Sequence, residues 1–254
     1  MTRELIAELR QAPPASLAPA RSILAEKAGG PGGTSRLASF YPDTGPLRRE
    51  LYVKHLRFFR LGRTVRERMM LAANRIGKTE GIGGYETTLH LIGLYPHWWE
   101  GRRFDKPIRA WVAGRTSITT RDIVQAKLLG RPTLRGGRKT FDGSGLIPGH
   151  LIERVSWRHG IADFADTVSV RHAGGGTSLL QFKSYEQGRT AFEGTEQDVI
   201  WLDEEPSLAV YTECVVRTMT TDGIVYVTFT PLQGMSEVVM LFLDARPELQ
   251  VVEE

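Results

Sequence analysis

One short stretch limits the fold more than any other. Ala72-Ala73-Asn74-Arg75-Ile76-Gly77-Lys78-Thr79 lies between an apolar run, Arg68–Ala73, and a helix-patterned segment, Lys78–Leu94. A buried strand, then a loop ending in Gly-Lys-Thr, then a helix is the setting of the P-loop pattern GxxxxGK[ST]. In that setting backbone N–H groups of the loop and helix N-terminus point at phosphates. Lys78 would reach the β- and γ-phosphates, Thr79 would offer its hydroxyl to Mg²⁺, and Gly77 allows close backbone approach. Ala73, Asn74, Arg75, Ile76, Gly77, Lys78 and Thr79 are therefore the expected nucleotide-binding residues, and ATP with Mg²⁺ the expected ligands. The first glycine of the pattern is Ala72 here, and alanine enters left-handed backbone conformations less freely than glycine. The bland alternative is a plain strand–helix turn.

The remaining pattern suits such a loop. Leu47, Leu51, His55 and Phe59 recur at helical spacing within residues 47–60, which predicts an amphipathic helix. Strands are expected at Ile108–Ala113, Val199–Leu202 and Ile224–Phe229, and helices at Ser117–Leu129, Ser207–Met219 and Ser236–Asp244. Thr167–His172 and Thr177–Lys183 alternate polar and apolar residues around Gly174–Gly176, as a β-hairpin does. Gly136–Gly149 reads as a glycine-rich loop. Strands alternating with helices predict an α/β fold with a central, mainly parallel sheet flanked by helices. Residues 1–46, rich in Pro, Gly, Ala and Ser, read as a flexible arm. Residues 47–245 form the expected domain, and 246–254 the expected start of a linker, although LQVVEE could also begin a strand.

Composition narrows the function classes. A single cysteine, Cys214, excludes an intramolecular disulfide framework, and the six histidines show no zinc-site spacing. No apolar run approaches the roughly 18 residues of a membrane helix. The net charge of +4 conceals an asymmetry: Arg48–Lys139 carries 21 Lys/Arg against 7 Asp/Glu, whereas Glu186–Glu213 carries eight acids against Arg189. A basic half suits a polyanion such as nucleic acid, or is simply a solvated face.

The acidic segment contains Val199-Ile200-Trp201-Leu202-Asp203-Glu204-Glu205, an apolar strand ending in carboxylates. At the end of a strand beside the P-loop strand, Asp203 could hold Mg²⁺ and Glu204 could deprotonate an attacking water. Glu205 could cap the next helix. Read alone, LDEEP is only a strand end before a helix. Thr228-Phe229-Thr230-Pro231 ends the next strand, where Thr228 and Thr230 could contact the γ-phosphate and report hydrolysis.

In order, AANRIGKT, WVAGRT, GSGLIP, SLLQFKSYEQGRTAFEG, VIWLDEEP and TFTPLQGMSEV resemble the N-terminal ATPase domain of the large terminase subunit of tailed bacteriophages, from about residue 47 to 245. The resemblance implies an ASCE-type P-loop NTPase, with the catalytic glutamate on a strand adjacent to the P-loop strand. It implies Mg²⁺-dependent ATP hydrolysis driving double-stranded DNA into a procapsid. Lys78 and Thr79 match the Walker A positions, Asp203 and Glu204 the Walker B positions, and Thr228–Thr230 the coupling motif. Arg75 falls where such motors carry a basic loop residue that senses or stabilises the γ-phosphate. The implied partners are double-stranded DNA, a portal protein, a small terminase subunit and further copies of the chain in a ring, a pentamer in the family. The implied location is the host cytoplasm. Such subunits usually also carry a nuclease. The acids after Asp244 are too few for that centre, so no nuclease activity is expected of residues 1–254.

An arginine completing a neighbour's site is expected in a ring motor, with Arg115, Arg121, Arg138, Arg158 and Arg189 as candidates. Tyr52, Phe58 and Phe59 could stack on adenine or pack in the core, and His97-Trp98-Trp99 reads as a core plug. The other readings are a different P-loop DNA motor, helicase or recombinase-like, and a nucleotide- or DNA-binding scaffold that does not hydrolyse.

Overall fold

A computed structural model describes residues 36–73, 76–230, 236–243 and 249–253. Its strands are β1 (Glu67–Leu71), β2 (Arg109–Gly114), β3 (Pro132–Arg135), β4 (Arg138–Phe141), β5 (Ile152–Trp157), β6 (Ala165–Arg171), β7 (Thr177–Ser184), β8 (Val199–Asp203), β9 (Ile224–Phe229) and β10 (Leu249–Glu253). Helix α1 is Val53–Leu61, and α2 is Tyr85–Ile92, entered through a wide turn at Lys78–Gly84. Three helical pieces, Ser117–Thr119, Thr120–Gln125 and Ala126–Leu129, follow one another as α3. Helix α4 is Leu208–Thr218 and α5 is Glu237–Leu243.

Eight strands form one sheet in the order β10-β1-β9-β8-β2-β7-β6-β5. Pairing is parallel from β10 through β7 and antiparallel from β7 to β5. The central strands are buried on both faces, as parallel strands covered by helices must be. Successive residues divide the core. Met70, Val112, Trp201 and Tyr226 join the cluster that holds Phe58, Phe59, Leu89 and Leu128 of α1–α3. Met69, Trp111, Ile200 and Val225 face Val210, Tyr211, Cys214 and Phe242 of α4 and α5.

Several expectations change. The expected helix over 47–60 begins at Val53, after a 3₁₀ turn at Arg49–Leu51 that breaks its register. Leu47 and Leu51 are consequently exposed while His55 and Phe59 are buried. Residues 1–35 of the expected arm lie outside the described residues, and in the rest of it Leu37, Phe40 and Tyr41 pack against the core. The Tyr41 hydroxyl donates to Gly81 O at 2.6 Å and accepts from His55 Nδ1 at 2.8 Å. Gly136–Gly149 is not all loop, because Gly136 and Gly137, at φ 57° and 74°, turn the β3–β4 ribbon. Strand β5, with irregular burial, had no period-2 signal. Residues 249–253, expected in a linker, pair with β1 as an edge strand. The acid-tipped strand β8 is not adjacent to β1 either, since β9 lies between them.

Two contacts fix the phosphate-loop helix to the sheet. A Cβ at Gly83 would lie 2.0 Å from Trp201 Cε2, so only glycine lets the helix come this close to β8. On β1, buried Arg68 donates to Glu86 of α2 at 2.7 and 3.2 Å and to Phe58 O at 2.8 Å. His90 Nε2 lies 3.2 Å from Glu86 Oε1, and Nδ1 lies 3.0 Å from the Tyr95 hydroxyl. Burial pushes the Glu86 carboxyl up, but Arg68 and His90 outweigh it and hold it below its ordinary value. Burial pushes His90 below 6.5 despite Glu86.

Glu86→Ala, which strands a buried guanidinium, should cost about 3–5 kcal/mol in denaturant unfolding. Gly83→Ala should lower the thermal midpoint by forcing Trp201 aside. The unfolded His90 takes up a proton near pH 6.5 and the folded one does not. Its contribution to stability is thus complete above pH 6.5 and is lost as pH falls below it. Unfolding midpoints at pH 7.5 and 5.5 should differ less in His90→Gln than in the native chain.

Candidate nucleotide site

The parallel strands end their C-terminal edges together, where open α/β sheets bind ligands. Strand β1 leads into the phosphate loop, β9 into Thr230, β8 into Glu204 and β2 into Arg115. Gly77 has φ 89°, in the left-handed region that favours glycine. Ala72 is not among the positive-φ residues, so alanine meets no backbone penalty there. Asn74 and Arg75, expected to bind the nucleotide, lie outside the described residues, as does Pro231. Ala73 is exposed and Ile76 half-buried beside them.

Lys78 is buried, and its ammonium donates to Ala72 O at 2.9 Å, Ala73 O at 2.6 Å and Thr230 Oγ1 at 2.7 Å. It thereby joins the start of the loop to the end of β9. Thr79 Oγ1 lies 3.1 and 3.2 Å from the two carboxylate oxygens of Asp203. The gap left by the intervening strand is filled by Thr228 of β9. Its hydroxyl donates to Asp203 Oδ1 at 2.9 Å and accepts from Trp201 Nε1 at 2.8 Å. The fold therefore brings together Lys78, Thr79, Asp203, Thr228 and Thr230 from positions up to 152 residues apart.

Asp203 is 5% exposed. Burial pushes its carboxyl up to about 7, and Glu204 adds to the rise, against the pull of Thr228, Thr79 and Lys78. A carboxylate and a hydroxyl in contact are a hard-oxygen pair of the kind Mg²⁺ takes along with phosphate oxygens and water. Thr79 and Asp203 fit that ion. Glu204 follows in a left-handed conformation, φ 65°, with its N–H bonded to Thr228 O at 2.9 Å. Its side chain is exposed. Partial burial raises its carboxyl, opposed by Lys78 and Arg115. Glu205 does not cap α4, because the Ser207 hydroxyl accepts from Val210 N at that position.

The arginine candidates separate. Only Arg115, just past β2, acts electrostatically on Glu204. Arg121 pairs with Asp122, Arg158 with Asp166, and Arg189 with Glu213. Arg138 stands on the β3–β4 ribbon. Phe58 and Phe59 are core residues rather than a base platform, while Tyr52 remains half-buried against Tyr41. Trp99 is buried as a core plug should be, with Trp98 stacked on Tyr85 and His97 exposed. Sequence reasoning missed Tyr185. Its hydroxyl reaches Asp203 O at 2.9 Å and Glu204 O at 3.0 Å. A tyrosine after a strand has no local signal for this role.

Residues 69–252 match the family described as terminase large subunit, T4likevirus-type, N-terminal. The chain is 34% identical over 211 residues to the terminase large subunit of Salmonella phage P22, covering 76% of this chain and 41% of that protein. It therefore spans about two-fifths of that relative's length. The large terminase of a thermophilic bacteriophage has a similar fold, with a TM-score of 0.56 at 13% identity over 79% of this chain and 44% of that one. A structure of the same thermophilic phage protein in complex with ADP gives 0.55 at 14% identity over the same shares. The phosphate loop, the acidic strand end and the threonine-tipped strand all lie within the matched region, and the chain belongs to the terminase large subunit, T4likevirus-type, N-terminal family.

Proposed function

We propose that this chain is the ATP-hydrolysing motor domain of a phage large terminase and couples hydrolysis to the movement of double-stranded DNA into a procapsid. The observation that carries the reading is the chain of contacts Thr79–Asp203–Thr228–Trp201, which joins phosphate loop, acidic strand end and coupling strand. Lys78 and the loop N–H groups bind and orient the triphosphate. Thr79 and Asp203 would hold Mg²⁺, which would supply charge neutralisation at the phosphate oxygens. Glu204 takes the proton of the attacking water. Arg75 is assigned to the γ-phosphate on family resemblance. Thr230 shares the Lys78 ammonium with the loop, so a change in where that ammonium points is felt directly at the end of β9. In the assembled motor the partners are double-stranded DNA, a portal protein, a small terminase subunit and other copies of the chain in a ring, in the host cytoplasm. Arg115 is the arginine whose charge already acts on Glu204.

Two measurements test the chemistry. Lys78→Ala should weaken binding of a fluorescent ATP analogue and abolish Mg²⁺-dependent phosphate release. Glu204→Gln should keep nucleotide binding and lower kcat by about 10²–10⁴. Normal turnover in Glu204→Gln would sink the base assignment, and binding without hydrolysis in the native chain, even when concentrated, would favour the scaffold reading.

DNA contact has its own test. Within the basic half, Arg102 pairs with Asp222, Arg103 donates to Trp99 O, and Lys139 pairs with Asp163. Arg135 and Arg138 sit opposite each other, exposed, at the tip of the β3–β4 ribbon. Replacing both by Glu should weaken duplex binding for every sequence and lower the slope of log affinity against log salt by about 1–2. An unchanged slope would make the ribbon a solvated face.

A further inference from the structure

The turn that carries Glu204 is held from outside its own strand. Glu204 is one of four non-glycine residues with positive φ among the described residues, a conformation in which the Cβ of an ordinary residue crowds its own backbone. A strand end under that strain relaxes unless other contacts define it. One is on β9, where Thr228 O accepts the Glu204 N–H. The other is Tyr185, whose hydroxyl proton is shared between the carbonyls of Asp203 and Glu204, with Ala113 O of β2 at 3.5 Å.

Tyr185 is itself fixed. It opens a 3₁₀ turn, Tyr185–Gln187, directly after β7. Ser184 and Gln187 close that turn as a reciprocal capping box, with Ser184 N donating to Gln187 Oε1 at 2.9 Å. Its ring packs near Phe192 in the core on the α4 and α5 face. The neighbouring residue reaches the other way. Glu186 N bonds to Arg115 O at 3.3 Å, and Glu186 Oε1 accepts from Ser117 N at 2.6 Å. Two consecutive residues thus join the turn bearing the carboxylate to the turn bearing Arg115, the arginine that acts on it.

We infer that Tyr185 is a positioning residue for the Glu204 carboxylate, its hydroxyl holding the strained Asp203–Glu204 turn at a fixed place relative to the phosphate loop and Arg115. The inference rests on the hydrolytic reading of Glu204. Tyr185 touches backbone carbonyls alone in this bracket, so its hydroxyl acts through Glu204 and not on nucleotide. Its loss should change the chemical step and leave nucleotide binding intact, since Lys78, Thr79 and the loop are held by other contacts.

The experiment compares the full chain with Tyr185→Phe, Glu204→Gln and the double variant. Tyr185→Phe should lower kcat about ten- to a hundredfold, as a misplaced reacting group does, while KM for ATP stays within about twofold. In the Glu204→Gln background the same change should lower kcat no further, because residues acting as one unit are not additive. Hydrogen exchange supplies a readout without turnover. The amides of Glu204 and Glu205 should exchange faster in Tyr185→Phe, while those of Ile200–Leu202 keep their protection. Equal losses of kcat in both backgrounds would overturn the inference, as would native kcat in Tyr185→Phe. A native chain that binds ATP but does not turn it over would overturn the hydrolytic reading instead. The exchange pattern then decides the bracket alone, and unchanged exchange at Glu204 and Glu205 overturns it.

Discussion

A buried ion pair sets the frame on which the site is built. Arg68 stands on the strand that enters the phosphate loop, and Glu86 on the helix that leaves it. Bonding the two at 2.7 Å inside the core ties the strand before the loop to the helix after it. The guanidinium also lies 4.6 Å from the Phe58 ring centre and 5.3 Å from that of Tyr226, so α1 and β9 close around the same charge. A charge without access to water is tolerated only where partners surround it. That requirement converts one electrostatic contact into a demand on four elements at once.

Contact between the two ends of the site follows from strand order. With β9 between β1 and β8, the loop hydroxyl of Thr79 and the carboxylate of Asp203 meet over a strand that contributes its own hydroxyl. Trp201 both donates to that hydroxyl and fills the space against Gly83, so packing and hydrogen bonding converge on one indole. The end of β9 is tied to Lys78 through Thr230, so the contacts of the proposed coupling strand concentrate there.

Much of this was legible in the residues. Continuous apolar runs marked β1, β2, β8 and β9, because parallel strands buried on both faces carry hydrophobic side chains on each. Lys78, Thr79, Asp203, Thr228 and Thr230 were expected together from what phosphate and metal chemistry demands at strand ends, and the fold brings their side chains into contact. What escaped depended on distance in sequence. Nothing local says that β9 inserts between β1 and β8, or that Tyr185 reaches the carbonyls of Asp203 and Glu204. The burial of Tyr41, within a Pro- and Gly-rich stretch, is decided by its partners His55 and Gly81. Short ribbons such as β3–β4 are set by their glycine turn, which composition alone reads as loop.

Cys214 has a practical corollary. It is the chain's one thiol, it is fully buried on the core side of α4, and burial pushes its ionisation up, away from the reactive thiolate. To a thiol-directed dye the folded molecule is a blank surface. A cysteine introduced at the tip of the β3–β4 ribbon or beside the phosphate loop would be labelled alone, without first removing the native one. Distances between such probes and a bound duplex or nucleotide can therefore be followed by fluorescence in the unaltered core.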